Sequence, residues 1–342
     1  MTKKKDAVDR SPLANGFRED DASPWPEQLA VRIAWCYYNL GMTQQEVASR
    51  LKMNRIRVNR LLNEARRRGI VRVSIESKLA QNIELEEGLK ERFKLERAEV
   101  LLTLTQEPAR LAELLGVGAC PLVGRLLKDG MTVGVGWGMT LRHMADSFPE
   151  EFLHNVEVVA LIGSLTRRSS ISPHEAATSL AAHIHAECFY LPGPVLCDSR
   201  QSRDTLMAQP MIQEAMERGR AADLALVSVG GPLNETLART GVIDRSEVID
   251  VRRHGAVGNF LGYYIDDEAE PIDHPVNKRV IGLLPHELLS VPDRLMISGG
   301  PEKVRVLHAL LRRGLLTGIV TDQETARALL AFNLKAARGN AA

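Results

Sequence analysis

Between Leu29 and Leu40 the apolar residues Leu29, Ile33, Cys36, Tyr37 and Leu40 recur at helical spacing, and Gly41 follows where such a helix would end. Thr43 stands three residues before Glu46, the capping-box arrangement in which each side chain bonds the other's backbone N–H, so a second, short helix should start at Gln44. Val47, Ala48 and Leu51 give it an apolar stripe, and Lys52 with Met53 makes a turn. Asn54 is placed to cap a third helix from Arg55 to about Arg67, which Gly69 stops. In this third helix the pattern puts Ile56, Leu61, Leu62 and Ala65 toward a core and leaves Arg55, Arg57, Asn59 and Arg60 to point outward. The alternation from Ile70 to Ile75 predicts a short, wing-like strand behind the helices.

From about Leu79 a charged helix through Glu84, Glu86, Glu87, Lys90 and Arg92 leads into short apolar runs separated by helical stretches. The runs predict strands at Val100–Leu104, Met131–Gly136, Val156–Ile162, Leu224–Val229, Phe260–Ile265, Val280–Leu284, Arg294–Ser298 and Thr317–Thr321. Near-continuous apolar strands linked by helices imply an α/β fold: a doubly wound, mostly parallel sheet covered on both faces, which binds ligands at the carboxyl ends of its strands. The expected organisation is a tail over 1–26, an all-α helix-turn-helix domain of winged type over 27–78, a larger domain over 79–335 and a flexible end over 336–342.

Charge sharpens this division. The net charge of the whole chain is +1, yet ten basic residues stand against two acidic ones between Arg32 and Arg72, a local charge of +8 that leaves −7 elsewhere. A basic segment on a mildly acidic remainder is the electrostatic footprint of a nucleic-acid-binding module. On a recognition helix Arg55, Arg57, Asn59 and Arg60 would meet base edges, Arg forking onto guanine and Asn onto adenine, with Asn54 as the cap beside them. Thr43 and Gln44, at the start of the preceding helix, would hold phosphate and so position the module without reading sequence.

In the larger domain several turns that directly follow predicted strands are rich in glycine and polar groups. Gly136, Trp137 and Gly138 lead to Thr140; Gly163, Ser164, Leu165, Thr166 and Arg167 follow the third strand; Asp266 ends another; Lys303 follows Gly299, Gly300 and Pro301. Glycine lets backbone N–H groups approach a ligand, helix amino termini add positive potential, and Lys or Arg supplies formal charge, which suits a phosphate or polyhydroxylated anion. Other chemistry lacks support. Met139 breaks the dinucleotide fingerprint begun by Gly134, Gly136 and Gly138; His185-Ala186-Glu187 has no PCxxC partner; Thr178 and Ser290 stand where HExxH needs histidine. The four scattered cysteines form no CxxC pair, and no apolar run is long enough to span a membrane, so a cytoplasmic protein without cofactor, metal or catalytic residues is expected.

The helix-turn-helix with Met42 to Ala48, the VGVGWG of Val133–Gly138 with Thr140, Leu191–Pro194, the GAVG of Gly255–Gly258, and SGGPEK at Ser298–Lys303 followed by Thr321, Asp322 and Ala326 together resemble the SorC/DeoR-type bacterial transcription regulators over nearly the whole chain after residue 27. The resemblance implies an effector domain folded like sugar-phosphate isomerases, a sugar, polyol or phosphosugar effector, operator DNA near catabolic genes, and a dimer or tetramer. It implies an effector cleft among Trp137, Thr140, Ser164, Thr166, Arg167, Asp266 and Lys303. The alternative is a sugar-phosphate isomerase-like enzyme with an appended DNA-binding domain, for which Asp266 with Lys303 is the one acid–base pair to nominate.

Overall fold

A computed structural model of the chain describes residues 26–71, 78–165, 173–231, 237 and 242–334. The chain divides into two compact units, Met1–Glu76 and Ser77–Ala342.

In the first unit helix α1 (Pro26–Ala34) runs into a single π-helical turn, Trp35–Asn39, before α2 (Gln44–Arg50) and α3 (Arg55–Arg67). The predicted caps form. Thr43 Oγ1 accepts from the Glu46 N–H at 3.2 Å while Glu46 Oε2 accepts from the Thr43 N–H at 2.7 Å, and Asn54 Oδ1 accepts from the Arg57 N–H at 2.7 Å. Ile33, Cys36, Val47, Ala48, Val58, Leu61 and Leu62 close one small core between the helices. Ile56 is not part of it. At 82% exposure it lies on the outside of α3, and Val58 takes the inward position, because the buried set Val58, Leu61, Leu62 and Ala65 fixes the helical phase. Ile70 and Val71 form a bend, and the rest of the expected wing, from Arg72, lies outside the described residues.

The second unit begins with α4 (Lys78–Phe93) and alternates strands with helices: β1 (Arg97–Leu101), α5 (Pro108–Leu126), β2 (Thr132–Val135), α6 (Met139–Asp146), β3 (Glu157–Ala160), α7 (Pro173–His183), β4 (Glu187–Phe189), α8 (Arg200–Met207), α9 (Pro210–Arg220) and β5 (Leu224–Val227). Beyond it come β6 (Val229–Gly230), α10 (Arg245–Arg253), β7 (Gly258–Phe260), β8 (Tyr263–Ile265), β9 (Asp293–Ile297), α11 (Val304–Arg312), β10 (Gly318–Asp322) and α12 (Gln323–Ala331). Seven strands form one parallel sheet in the order β1-β10-β9-β5-β2-β3-β4. Alternate residues of one strand enter different cores. Leu224 and Leu226 of β5 pack with α5, α6 and α7, whereas Ala225 and Val227 pack with α9, α11 and α12. Burial on both faces is why these strands read as unbroken apolar runs.

Two expectations change, and one strand is not anticipated by the sequence. Phe260–Ile265 is not one strand: it turns at Leu261 and Gly262, and β7 pairs antiparallel with both β6 and β8 in a separate three-stranded sheet. Val280–Leu284 is not a regular strand; Val280 and Gly282 make isolated antiparallel bridges to Leu196 and Ile162, so its apolar residues are buried by loop pairing. The short edge strand β4, with Glu187 exposed, carries too little apolar pattern to be seen in the sequence.

Helices α5 and α6 meet at Gly116, where a β-carbon would lie 2.5 Å from the Thr140 carbonyl oxygen and 2.8 Å from Met144 N. Backbone cannot yield as a side-chain tip can. Gly116→Ala is therefore expected to destabilise the chain by about 1–3 kcal/mol, read as a lower urea midpoint with an unchanged slope; an unaltered midpoint contradicts the packing described.

Candidate functional site

The sheet order reverses at one place. From β2 the chain moves outward through β3 to β4, and after β5 it builds the other side through β9 and β10, so β2 and β5 are neighbours whose connections leave in opposite directions. At the carboxyl ends of such a pair an α/β sheet leaves a crevice. The turn after β2 carries Gly136, Trp137 and Gly138; Ser228 follows β5, and Gly231 follows directly on the two-residue strand β6 beyond it. They approach closely: the Gly136 N–H donates to the Leu226 carbonyl at 2.8 Å, and a β-carbon on Gly138 would lie 3.6 Å from Ser228 Cβ. Gly138 holds φ at 132°, and Gly300 in the turn after β9 holds 112°, values that L side chains rarely adopt. Gly231 in turn abuts Glu302, with 3.1 Å from its β-carbon position to Glu302 Cγ. The turns after β2, β5 and β9 thus form one rim.

Lys303 belongs to that rim. Its side chain is 16% exposed, and Nζ lies 4.0 Å from Glu302 Oε1. Burial pushes the ammonium below the usual lysine range, against the opposing pull of Glu302 and Asp322. Asp322, fully buried at the end of β10, caps α12 through the N–H groups of Glu324 and Thr325 and accepts from Gln106 Nε2 at 3.1 Å. Thr325 Oγ1 donates to Asp322 Oδ2 at 2.6 Å and accepts from the Gly300 N–H at 2.8 Å, which ties the 299–303 turn to α12. Next to this network Ser298 Oγ and Thr321 Oγ1 are buried without hydrogen-bond partners among the described residues, and so is Asn259 Oδ1 on β7. Unsatisfied buried polar atoms are uncommon in folded proteins. Asp322, Ser298, Thr321 and Asn259 are not among the effector residues that the sequence predicts.

The other expected effector residues divide. Trp137 is 6% exposed and packs into the same core as Leu165 and Leu261, and Thr140 is buried in the first turn of α6. The Gly163 and Ser164 N–H groups are already used, donating to the carbonyls of Ile281 and Gly193 at 2.9 and 2.8 Å, so this turn offers no backbone cradle there. Thr166 and Arg167 lie outside the described residues. Asp266 Oδ1 accepts from the N–H groups of Glu268 and Glu270, capping a turn after β8. Its carboxylate is thus spent on that turn, whereas the carboxylate beside Lys303 is that of Glu302.

On the first unit, an open hollow of about 810 Å³ is lined by Tyr37, Tyr38, Gly41, Met42, Thr43, Gln44, Gln45 and Arg55, which brings three of the expected nucleic-acid contacts together. Of these three, Thr43 spends its hydroxyl and N–H on Glu46, while Gln44 and Arg55 have no capping role. Arg55, Arg57, Asn59 and Arg60 are all exposed. Arg66 is engaged instead, donating to Tyr38 Oη at 2.7 Å, and Arg68 pairs with Glu64.

The fold is a parallel α/β domain with a strand reversal at its centre, preceded by a helix-turn-helix unit. The family described as "Putative sugar-binding domain" matches residues 77–331. Among characterised relatives, the chain is 31% identical to the transcriptional regulator LsrR of Klebsiella pneumoniae, over 90% of this chain and 94% of that one. It is 29% identical to the erythritol catabolism regulatory protein EryD of Brucella abortus, over 89% and 96% of the two chains. The crystal structure of the full-length sorbitol operon regulator SorC from Klebsiella pneumoniae superposes with a TM-score of 0.69 at 26% identity, covering 89% of this chain and 98% of that one. The chain belongs to the SorC-type family of sugar-binding transcriptional regulators. Among the described residues no helix is long and apolar enough to cross a membrane.

The hydrogen bonds from Thr43, backbone first and then hydroxyl, hold the Glu46 carboxyl below the usual glutamate range. A carboxylate with a depressed folded pKa stabilises above its unfolded value, about 4.3, and the benefit disappears as pH falls through the lowered value. Glu46→Gln should therefore speed amide exchange in α2 at pH 7, and the difference from the parent should vanish in acid. Equal exchange in both chains at pH 7 contradicts a contribution from the carboxylate's charge to the cap.

Proposed function

We propose that the chain is a ligand-responsive regulator of a carbohydrate or sugar-alcohol catabolic operon, acting in the cytoplasm as a homo-oligomer, with α3 in the major groove of operator DNA and a sugar, polyol or phosphosugar in the crevice beyond β2, β5 and β9. The observation that carries the effector half is Lys303: a lysine 16% exposed, at the carboxyl end of the sheet beside the strand reversal, is held there at a desolvation cost that an anionic or polyhydroxylated ligand would offset. Buried hydroxyls at Ser298 and Thr321 supply neutral partners in the same region. On the DNA side, Arg55, Arg57, Asn59 and Arg60 stand on the exposed side of a capped helix while Arg66 and Arg68 are committed within the unit. Two such helices related by a two-fold axis read half-sites about 34–36 Å apart or a multiple of that, which makes assembly part of recognition.

No catalytic role is assigned: the relatives are named as transcriptional regulators, and Asp266 is occupied as a turn cap. Thermal-shift screening across sugars, sugar alcohols and their phosphates is the direct search for the effector, because a ligand raises apparent stability by mass action. With the effector in hand, Lys303→Met should raise the concentration needed for half-maximal stabilisation roughly 10- to 100-fold, the range for losing a charged hydrogen bond. An unchanged midpoint removes Lys303 from the site. Arg55→Ala combined with Arg57→Ala should abolish the operator gel shift and leave the effector-induced thermal shift intact; retained operator binding contradicts the assignment of α3.

A further inference from the structure

The outward face of α3 has an isoleucine at its centre. At about 100° per residue, the buried set Val58, Leu61, Leu62 and Ala65 defines one side of the helix, and Ile56 falls roughly opposite, beside Arg60 and Asn63, with Arg55 and Arg57 on the two flanks. Ile56 is 82% exposed, and its side chain supports no part of the unit's core. A β-branched apolar residue there gains nothing for the helix, since its propensity is below that of the Arg, Lys or Gln that would suit a solvated face. Its surroundings are cationic: Arg55, Arg57 and Arg60 are exposed around it, and Glu46 is bound to Thr43 while Glu64 is paired with Arg68.

On the reading that α3 enters the major groove, these features specify one occupant for the apolar centre. The arginines bring the phosphate backbone and base edges to the face, and the one apolar group that the floor of the major groove presents is the C5 methyl of thymine. We propose that Ile56 is a specificity-determining residue that packs against a thymine methyl in each operator half-site, while Arg60 and Asn63 beside it hydrogen-bond neighbouring bases. Sequence preference at that position is then read by apolar contact and is independent of salt, in contrast to the flanking phosphate contacts.

The test uses the full-length chain and the duplex it selects from a random library. Each thymine of the half-site is replaced in turn by deoxyuracil, which differs only in lacking the methyl. At one position per half-site the replacement should weaken the parent's binding roughly three- to fivefold, the factor expected for one methyl removed from an apolar contact. Ile56→Ala should weaken binding to the thymine duplex by at least that factor and no longer distinguish thymine from deoxyuracil there, and Ile56→Val should keep part of the discrimination. The side chain is exposed, so both variants should melt as the parent does, and circular dichroism checks this. The proposal is overturned if no thymine in the half-site is methyl-sensitive, or if Ile56→Ala discriminates as well as the parent. A chain that selects no sequence at all overturns the DNA-binding reading itself, and this proposal with it.

Discussion

Two neighbouring parallel strands whose connections leave in opposite directions cannot both have their carboxyl ends covered by their own crossovers, and the larger unit is arranged around that constraint at β2 and β5. The turns beyond them approach within van der Waals contact; Gly138 is required there by its φ of 132°, and the turn after β9 completes the rim with Gly300 at another positive φ. Lys303 follows from the same geometry. The short turn that starts at Gly299 is fastened through Gly300 to Thr325 and Asp322, so the lysine is delivered to the sheet end with little freedom and little solvent. Strand order, backbone conformation and the charge of the crevice are one consequence of one topology.

The smaller unit depends on local chemistry. Its helices are short, and isolated helices of that length are marginal in water, so caps and a shared core have to fix where each begins. The Thr43–Glu46 box and the Asn54 cap do so within three residues of sequence, and Val58, Leu61 and Leu62 then set the rotation of α3. That rotation decides which side chains are offered outward. The arginines near the end of α3 are partly withdrawn into pairs with Tyr38 and Glu64, which concentrates the available positive charge at the helix's first turns.

What could be read in the sequence follows the same division. Caps and helical phase are local, so α2 and α3 were legible to the residue, apart from Ile56, which was assigned inward on its apolarity when the phase set by its neighbours places it outside. The parallel strands were legible because burial on both faces leaves an apolar run. Val280–Leu284 shows the limit, since irregular pairing with Ile162 and Leu196 buries apolar residues as well as a sheet does. Site residues were harder, because their availability depends on partners distant in sequence. The turn at Gly163 and Ser164 has the composition of an anion cradle, yet its N–H groups are taken by Gly193 and Ile281, and Asp266 is spent on its own turn. Conversely Asp322, Ser298 and Thr321 gain meaning only when β9 and β10 lie side by side.

On the proposed function, ligand in the crevice of the larger unit sets how tightly the helix-turn-helix holds its operator. Operator affinity of the full-length chain, measured with and without a saturating concentration of a sugar or sugar phosphate that stabilises it thermally, tests this most directly. The account predicts a change of roughly 5- to 150-fold, in either direction, equivalent to about 1–3 kcal/mol of coupling. Identical affinity at every ligand concentration, with ligand demonstrably bound, would contradict it.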